Sequence, residues 1–155
     1  MSPSGNLDAE RLPHRAKGAA FWKERFESIR DHERHLARNG TVILKFWLNV
    51  SPDEQRRRFL SRIDEPHKNW KFDTGDVRER QHWDAYMHAY EQMLRATSRP
   101  WAPWYAVPAD DKPYLRLAVA EILVDALERL DLRFPEVSDA DRERLGEMRA
   151  LLEAE

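Results

Sequence analysis

Cysteine is absent from the 155 residues, which excludes a disulfide framework and a thiolate metal centre and fits a cytosolic setting. Glycine is scarce. Gly5, Gly18, Gly40, Gly75 and Gly146 are scattered along the chain, and no G-x-x-x-x-G-K-[ST] segment occurs, so no phosphate-cradling loop is encoded in these residues. No apolar run approaches the roughly 18 residues of a membrane helix, and residues 1–20 contain no apolar signal core. A membrane partner is therefore not expected. The six histidines show no H-E-x-x-H or comparable spacing, and His82 and His88, six apart, fall on different faces of a helix. No metal site is expected among them. Internal repeats and low-complexity tracts are also missing.

What the chain does have is charge and aromatic volume. It is 41% hydrophobic and 35% charged, with six Trp, four Tyr and six Phe and a net charge of −2, enough for one domain with one core. The net charge and an acidic tail argue against nucleic acid as a partner.

The organising stretch is residues 40–72, GTVILKFWLNVSPDEQRRRFLSRIDEPHKNWKF. Residues 41–50 carry Lys45 as their one charge and are rich in β-branched and aromatic side chains, the pattern of a strand covered on both faces. Ser51-Pro52-Asp53-Glu54 starts a helix, with Ser51 as N-cap, Pro52 in the first turn and Glu54 expected to reach back in a capping box. A strand handing over to a helix is where open α/β sheets place ligands. Between Gln55 and Lys71 six cations, Arg56, Arg57, Arg58, Arg62, Lys68 and Lys71, face two acids, Asp64 and Glu65. This segment is either an anion site or a solvated cationic face; Arg58 and Arg62, four apart, share a helical face and can grip one polyanion.

Residues 1–17, with Pro3, Gly5 and Pro13, form an irregular lead-in. A helix is expected from about Ala19, its Trp22, Phe26, Ile29 and Leu36 at helical spacing and its end at Asn39-Gly40. After the basic loop a helix is predicted over about residues 77–96, capped at residues 73–76. Its Trp83, Tyr86, Met87 and Tyr90 are weighed as core packing above base stacking. Trp104 to Val107 reads as a second short strand. Ala109-Asp110-Asp111 caps a helix whose Leu115, Ala118, Val119, Ile122, Leu123, Ala126, Leu127 and Leu130 form a broad apolar stripe, with Lys112 in its first turn. Asp64, Glu65, Asp76 and Asp110 read equally as caps, charge partners or acid/base groups. Residues 136–155 read as an acidic helix or tail.

Four segments resemble the polyphosphate kinase 2 family: A-R-N-G-T-V-I-L-K-F-W-L-N-V-S at residues 37–51, E-Q-R-R-R-F-L-S-R at 54–62, P-H-K-N-W-K at 66–71 and A-P-W-Y-A-V-P-A-D-D-K at 102–112. The similarity runs collinearly from about Asn6 to Pro135. It implies an α/β, partial P-loop kinase-like fold, mostly helical, with about two parallel-type strands and a basic helical lid over about residues 55–83. Residues 18–135 then form the C-terminal half of such a domain. The implied activity is phosphoryl transfer between polyphosphate and nucleoside mono- or diphosphates with Mg²⁺, and the lid cations are Arg58, Arg62, Lys68 and Lys71, with Lys112 a further candidate. Trp70 and Trp83 are expected to brace the lid. The family's G-x-D-x-x-G-K and D-R-S-x-Y-x-R type segments, which hold phosphate and Mg²⁺, have no counterpart here. The chain is accordingly expected to be a truncated or split half, to transfer little phosphate alone, and to need the missing half or a second copy; the alternative is a non-catalytic polyphosphate-binding or assembly fragment. Its unpaired strand and the Leu115 to Leu130 helix should then expose apolar surface.

Overall fold

The computed structural model describes residues 18–154; the expected lead-in over residues 1–17 lies outside them. Helix α1 (Ala19–Arg38) ends in a Schellman turn. Gly40 N–H donates to the Ala37 carbonyl and Thr41 N–H to that of Leu36, both at 3.1 Å. Gly40 sits at φ 87°, a left-handed conformation that costs a residue without a Cβ little. The turn feeds the chain into β1 (Lys45–Asn49), followed by α2 (Pro52–Asp64), a 3₁₀ turn (Pro66–Lys71), α3 (Thr74–Glu79), a second 3₁₀ turn (Arg80–His82), α4 (Trp83–Thr97), β2 (Trp104–Pro108), α5 (Lys112–Arg129) and α6 (Asp139–Glu153).

The strands pair in parallel, from Lys45 opposite Trp104 to Asn49 opposite Pro108. β1 is half the length that its apolar run predicts, because the run has a partner over five residues only. Pro103 and Pro108 bound that partner, and neither has an N–H to extend the ladder. Cover on both faces is also incomplete, with Leu48 47% exposed. With two strands in the sheet, each keeps one edge unpaired among the described residues.

An ion pair ties the layers together. Lys45 Nζ donates to both carboxylate oxygens of Glu33 on α1 at 2.8 Å and to the Thr97 carbonyl at the end of α4 at 2.9 Å. It also stands 5.2 Å from the centre of the Trp104 ring. Thr97, 1% exposed, accepts a hydrogen bond from Trp104 Nε1 and donates to the Met93 carbonyl. Of the buried residues, Thr97 belongs to this cluster and Ala102 precedes Trp104, while Val107 and Ala109 lie at the far end of the ladder, beside Leu48 and Asn49.

The helix predicted over residues 77–96 is interrupted. Residues 80–82 tighten into the 3₁₀ turn, which lets Arg80 Nη1 reach back to the Pro52 carbonyl (2.9 Å) and to Gln55 Oε1 (2.7 Å) at the start of α2. Such side-chain anchoring is invisible to periodicity.

The chain divides into two compact units at Val119/Ala120, inside α5. Within the second, Ser138 caps α6 by accepting from Asp141 N–H at 3.1 Å. Every described residue of this unit from Leu127 onward is exposed. On α5 itself Tyr114, Leu117, Val124 and Leu127 are exposed while Leu115, Ala118 and Ile122 are half-buried, so apolar groups lie on more than one side of the helix.

Candidate functional site

The strand-to-helix junction at residues 49–54 is fixed by hydrogen bonds from a distant part of the chain. Ser51 Oγ accepts from Glu54 N–H at 3.1 Å, as a cap should. The Ser51 N–H, however, donates to Asp110 Oδ1 at 2.7 Å, not to Glu54. The expected capping box is thus half formed. Glu54 is occupied elsewhere, accepting from Arg57 at 2.6 and 2.7 Å and from Arg58 Nε at 2.6 Å. Two charge-assisted partners outcompete one backbone N–H. Arg57, and then Arg58, hold the Glu54 carboxyl below its ordinary pKa.

Arg58 completes the bracket between the two strand exits. Its Nη2 donates to the Ala109 carbonyl at 2.6 Å and to that of Asp110 at 3.2 Å. Lys112, two residues later, opens α5 with an exposed side chain. Arg58 and Lys112 therefore both belong to the carboxyl end of β2.

Arg62, one turn further along α2, goes to a different partner. Its Nη1 lies 3.3 Å from Asp76 Oδ2 on α3, and its guanidinium stands over the Phe59 ring. The shared helical face of Arg58 and Arg62 is real, but the two side chains end on separate acceptors. Lys68 Nζ bonds Glu65 Oε2 at 2.6 Å and Ser61 Oγ at 3.0 Å; Lys68 first, then Ser61, lower the Glu65 pKa. Lys71 lies 4.9 Å from the centre of the Trp70 ring. Trp70 is 78% exposed, so it stands out from the turn and does not brace it. Of the four acids left open by the sequence, Asp110 and Asp76 are charge or cap partners, Glu65 is an ion-pair partner, and Asp64 has no partner among the described residues.

A cleft of about 340 Å³ opens at the carboxyl end of β1, with Trp47 and Asn49 on its floor, Phe59 of α2 on one wall and Trp83, Tyr86 and Tyr90 of α4 on another. Sequence reasoning missed Arg80 and Glu79 as parts of this cleft, and periodicity carried no signal for them.

Among the described residues no three His, Asp or Glu side chains are grouped so as to hold a metal ion. The Mg²⁺ that the family resemblance implies is commonly held by one or two carboxylates with substrate phosphates completing its shell, so it does not require such a group. No described helix is long and apolar enough to cross a membrane.

Parallel strands that release a cationic helix at the carboxyl end of one of them define a partial P-loop kinase-like α/β fold. The family model for polyphosphate kinase 2 matches residues 11–135, and the chain belongs to that family. An ADP-polyphosphate phosphotransferase of Rhodopseudomonas palustris is 51% identical over 147 residues, covering 94% of this chain and 51% of its own. An uncharacterized protein from the chlN 3' region of Leptolyngbya boryana is 51% identical over 135 residues, 87% of this chain and 99% of that one. The crystal structure of polyphosphate kinase 2 from Arthrobacter aurescens TC1 superposes with a TM-score of 0.76 at 42% identity, covering 86% of this chain and 48% of that one. The chain spans about half the length of the phosphotransferase and of the solved kinase, and nearly all of the Leptolyngbya protein.

Proposed function

We propose that residues 55–83 form the phosphate-gripping lid of an enzyme that moves phosphoryl groups between polyphosphate and nucleoside mono- or diphosphates. The carrying observation is the placement of Arg58 and Arg62 on α2, which leaves the carboxyl end of β1, and of Lys68 and Lys71 on the 3₁₀ turn that follows it, in a chain of the polyphosphate kinase 2 family. Lys112 adds a cation at the neighbouring strand exit.

Phosphoryl transfer asks little covalent chemistry of the protein and much positioning and charge neutralisation. In this proposal the lid cations bind phosphate oxygens of polyphosphate. Arg62 and Lys68 must first exchange their own carboxylates for those oxygens, and Lys71 is presented without one. Arg58 is held by Glu54 and two carbonyls and aligns α2 over the strand exits. Mg²⁺ belongs to the proposed reaction, and no step here is routed through it.

The 155 residues contain no G-x-x-x-x-G-K-[ST] segment, so the proposed transfer depends on a polypeptide that supplies a phosphate loop, which a second copy of these residues would not. The unpaired strand edges favour the second reading, a polyphosphate-binding and assembly piece that is not itself catalytic. The nucleotide chemistry sets the proposed location in the cytoplasm.

The test is calorimetric titration of the chain with short polyphosphate at about 50 and about 200 mM salt, where phosphate contacts lose affinity steeply. Saturable binding that weakens with salt supports the lid. Absence of binding at the lower salt overturns it. Phosphorylation of ADP by the same preparation separates the catalytic reading from the binding one.

A further inference from the structure

We propose that Arg80 is a positioning residue of the lid: a staple that ties the root of α2 to the start of α4 and so fixes the direction in which the lid cations project. The inference rests on the lid function proposed above and names what holds that lid in its gripping geometry.

The lid leaves β1 through α2 and returns through α3, the second 3₁₀ turn and α4. Helix α4 is anchored independently of the lid. Arg30 of α1 donates to its Ala96 carbonyl at 3.1 Å, and the Tyr90 ring lies 5.8 Å from that of Trp47 on β1. Arg80 stands where the returning limb meets this anchored helix. There the backbone tightens to 3₁₀ over residues 80–82, and one nitrogen, Nη1, donates both to the Pro52 carbonyl at 2.9 Å and to Gln55 Oε1 at 2.7 Å. Both acceptors belong to the first turn of α2, 28 and 25 positions away in the chain. The two ends of the lid are thereby held side by side, and residues 56–79 form an arc closed at its base.

Charge pairing does not explain an arginine at this point. The side chain is half-buried, no carboxylate pairs with it among the described residues, and a cation beside the first turn of a helix works against the helix dipole. What the two bonds fix is direction. Helix α2 is a lever pivoted at its first turns, which Arg58 ties to the Ala109 and Asp110 carbonyls beyond β2 and Arg80 ties to α4. Two ties to two different elements set an axis, whereas one leaves a swing. At about 1.5 Å of rise per residue, Arg62 sits roughly 15 Å along the lever from Pro52, so a small rotation at the root becomes a large displacement there. The turn that carries Lys68 and Lys71 follows the same lever, because Asn69 Nδ2 donates to the Arg62 and Ile63 carbonyls at the end of α2, both at 2.8 Å. Arg80 thus acts on phosphate through α2, without touching it.

The experiment combines hydrogen exchange with polyphosphate titration on the 155-residue chain and on Arg80→Ala, Arg80→Lys, Gln55→Ala and the double variant of Arg80→Ala with Gln55→Ala. In Arg80→Ala the amides of α2 and α3 should exchange at least about tenfold faster, while those of β1 and β2 keep their protection, which shows that the variant is folded. Its polyphosphate affinity should fall about fivefold to tenfold, as a charge-assisted tie is lost and a smaller fraction of lids is competent to bind. Arg80→Lys should recover part of that affinity, and the double variant should bind no more weakly than Arg80→Ala, since both substitutions remove one staple. The slope of affinity against salt separates positioning from contact: it should stay that of the unmodified chain, whereas a slope lowered by about one phosphate would mean that Arg80 itself binds phosphate and would overturn the staple. Unchanged exchange in α2, or unchanged affinity in Arg80→Ala, overturns it as well. Failure of the unmodified chain to bind polyphosphate overturns the lid instead, and the exchange of α2 then still reports on the tie.

Discussion

Arg62 Nη1 on α2 lies 3.3 Å from Asp76 Oδ2 on α3, so a cation proposed to grip phosphate rests on an acid from the next helix. Both side chains are partly exposed, which makes the pair weak and exchangeable. Asp76→Asn removes the competitor and is expected to tighten polyphosphate binding about two- to fivefold at low salt, an effect of less than about 1 kcal/mol. Titration of the variant beside the unmodified chain checks it; a weaker complex would show that Asp76 positions Arg62 for phosphate instead of competing for it.

Arg58 and Arg62 should separate by variant. Arg58→Ala loses the donors to Ala109 and Asp110 and an ion-pair partner of Glu54, and stability should fall by about 1–2 kcal/mol. Arg62→Ala should leave stability within about 0.5 kcal/mol and weaken polyphosphate. Urea melts of the two variants decide this, and equal losses would contradict the bracket described for Arg58.

The Lys45–Glu33 pair is 12% exposed on either side and should matter more. Lys45→Met strands the Glu33 carboxylate and removes the donor to the Thr97 carbonyl, at an expected cost of about 3 kcal/mol. The double variant Lys45→Met with Glu33→Leu should recover most of it. Thermal or urea denaturation measures both.

Acid should loosen α2 first. The Glu54 carboxyl is held below its ordinary value of 4.5 chiefly by Arg57, and the Glu65 carboxyl chiefly by Lys68. A carboxyl depressed on folding gives stability that is complete above its unfolded value and is lost as pH falls through the folded one. Melting temperature is therefore expected to decline below pH 4.5, and Glu54→Gln together with Glu65→Gln should flatten the decline. An unchanged acid slope in that double variant would rule these two groups out as its source.

Local signals made much of this architecture readable. Ser51 before Pro52, Asn39-Gly40 after α1 and the apolar run around Phe46 each act within a few residues, so helix ends and strand positions followed from them. Asp110 did not. Its bond to the Ser51 N–H joins positions 59 residues apart, and no spacing rule links them. The same holds for Glu54, whose choice of Arg57 and Arg58 over the cap is a competition between neighbours that only geometry resolves. The basic character of the lid was plain from composition, but the acid that Arg62 meets depended on where α3 packs, whereas Lys68 pairs with Glu65 three residues before it.

The parallel register has a topological consequence. β1 and β2 are neighbours in the ladder, yet the whole proposed lid and α4 are threaded between them. The segment is thus an excursion whose two ends return to adjacent points, and its closure entropy grows only slowly with length, about 0.6 kcal/mol for each doubling. Insertions within the excursion should therefore be tolerated by the ladder, and lid length is free to drift while the strand pair stays in register. Folding pays in another currency: a pairing of such high sequence separation must wait for a long chain to close, and the ladder should be among the last elements to form.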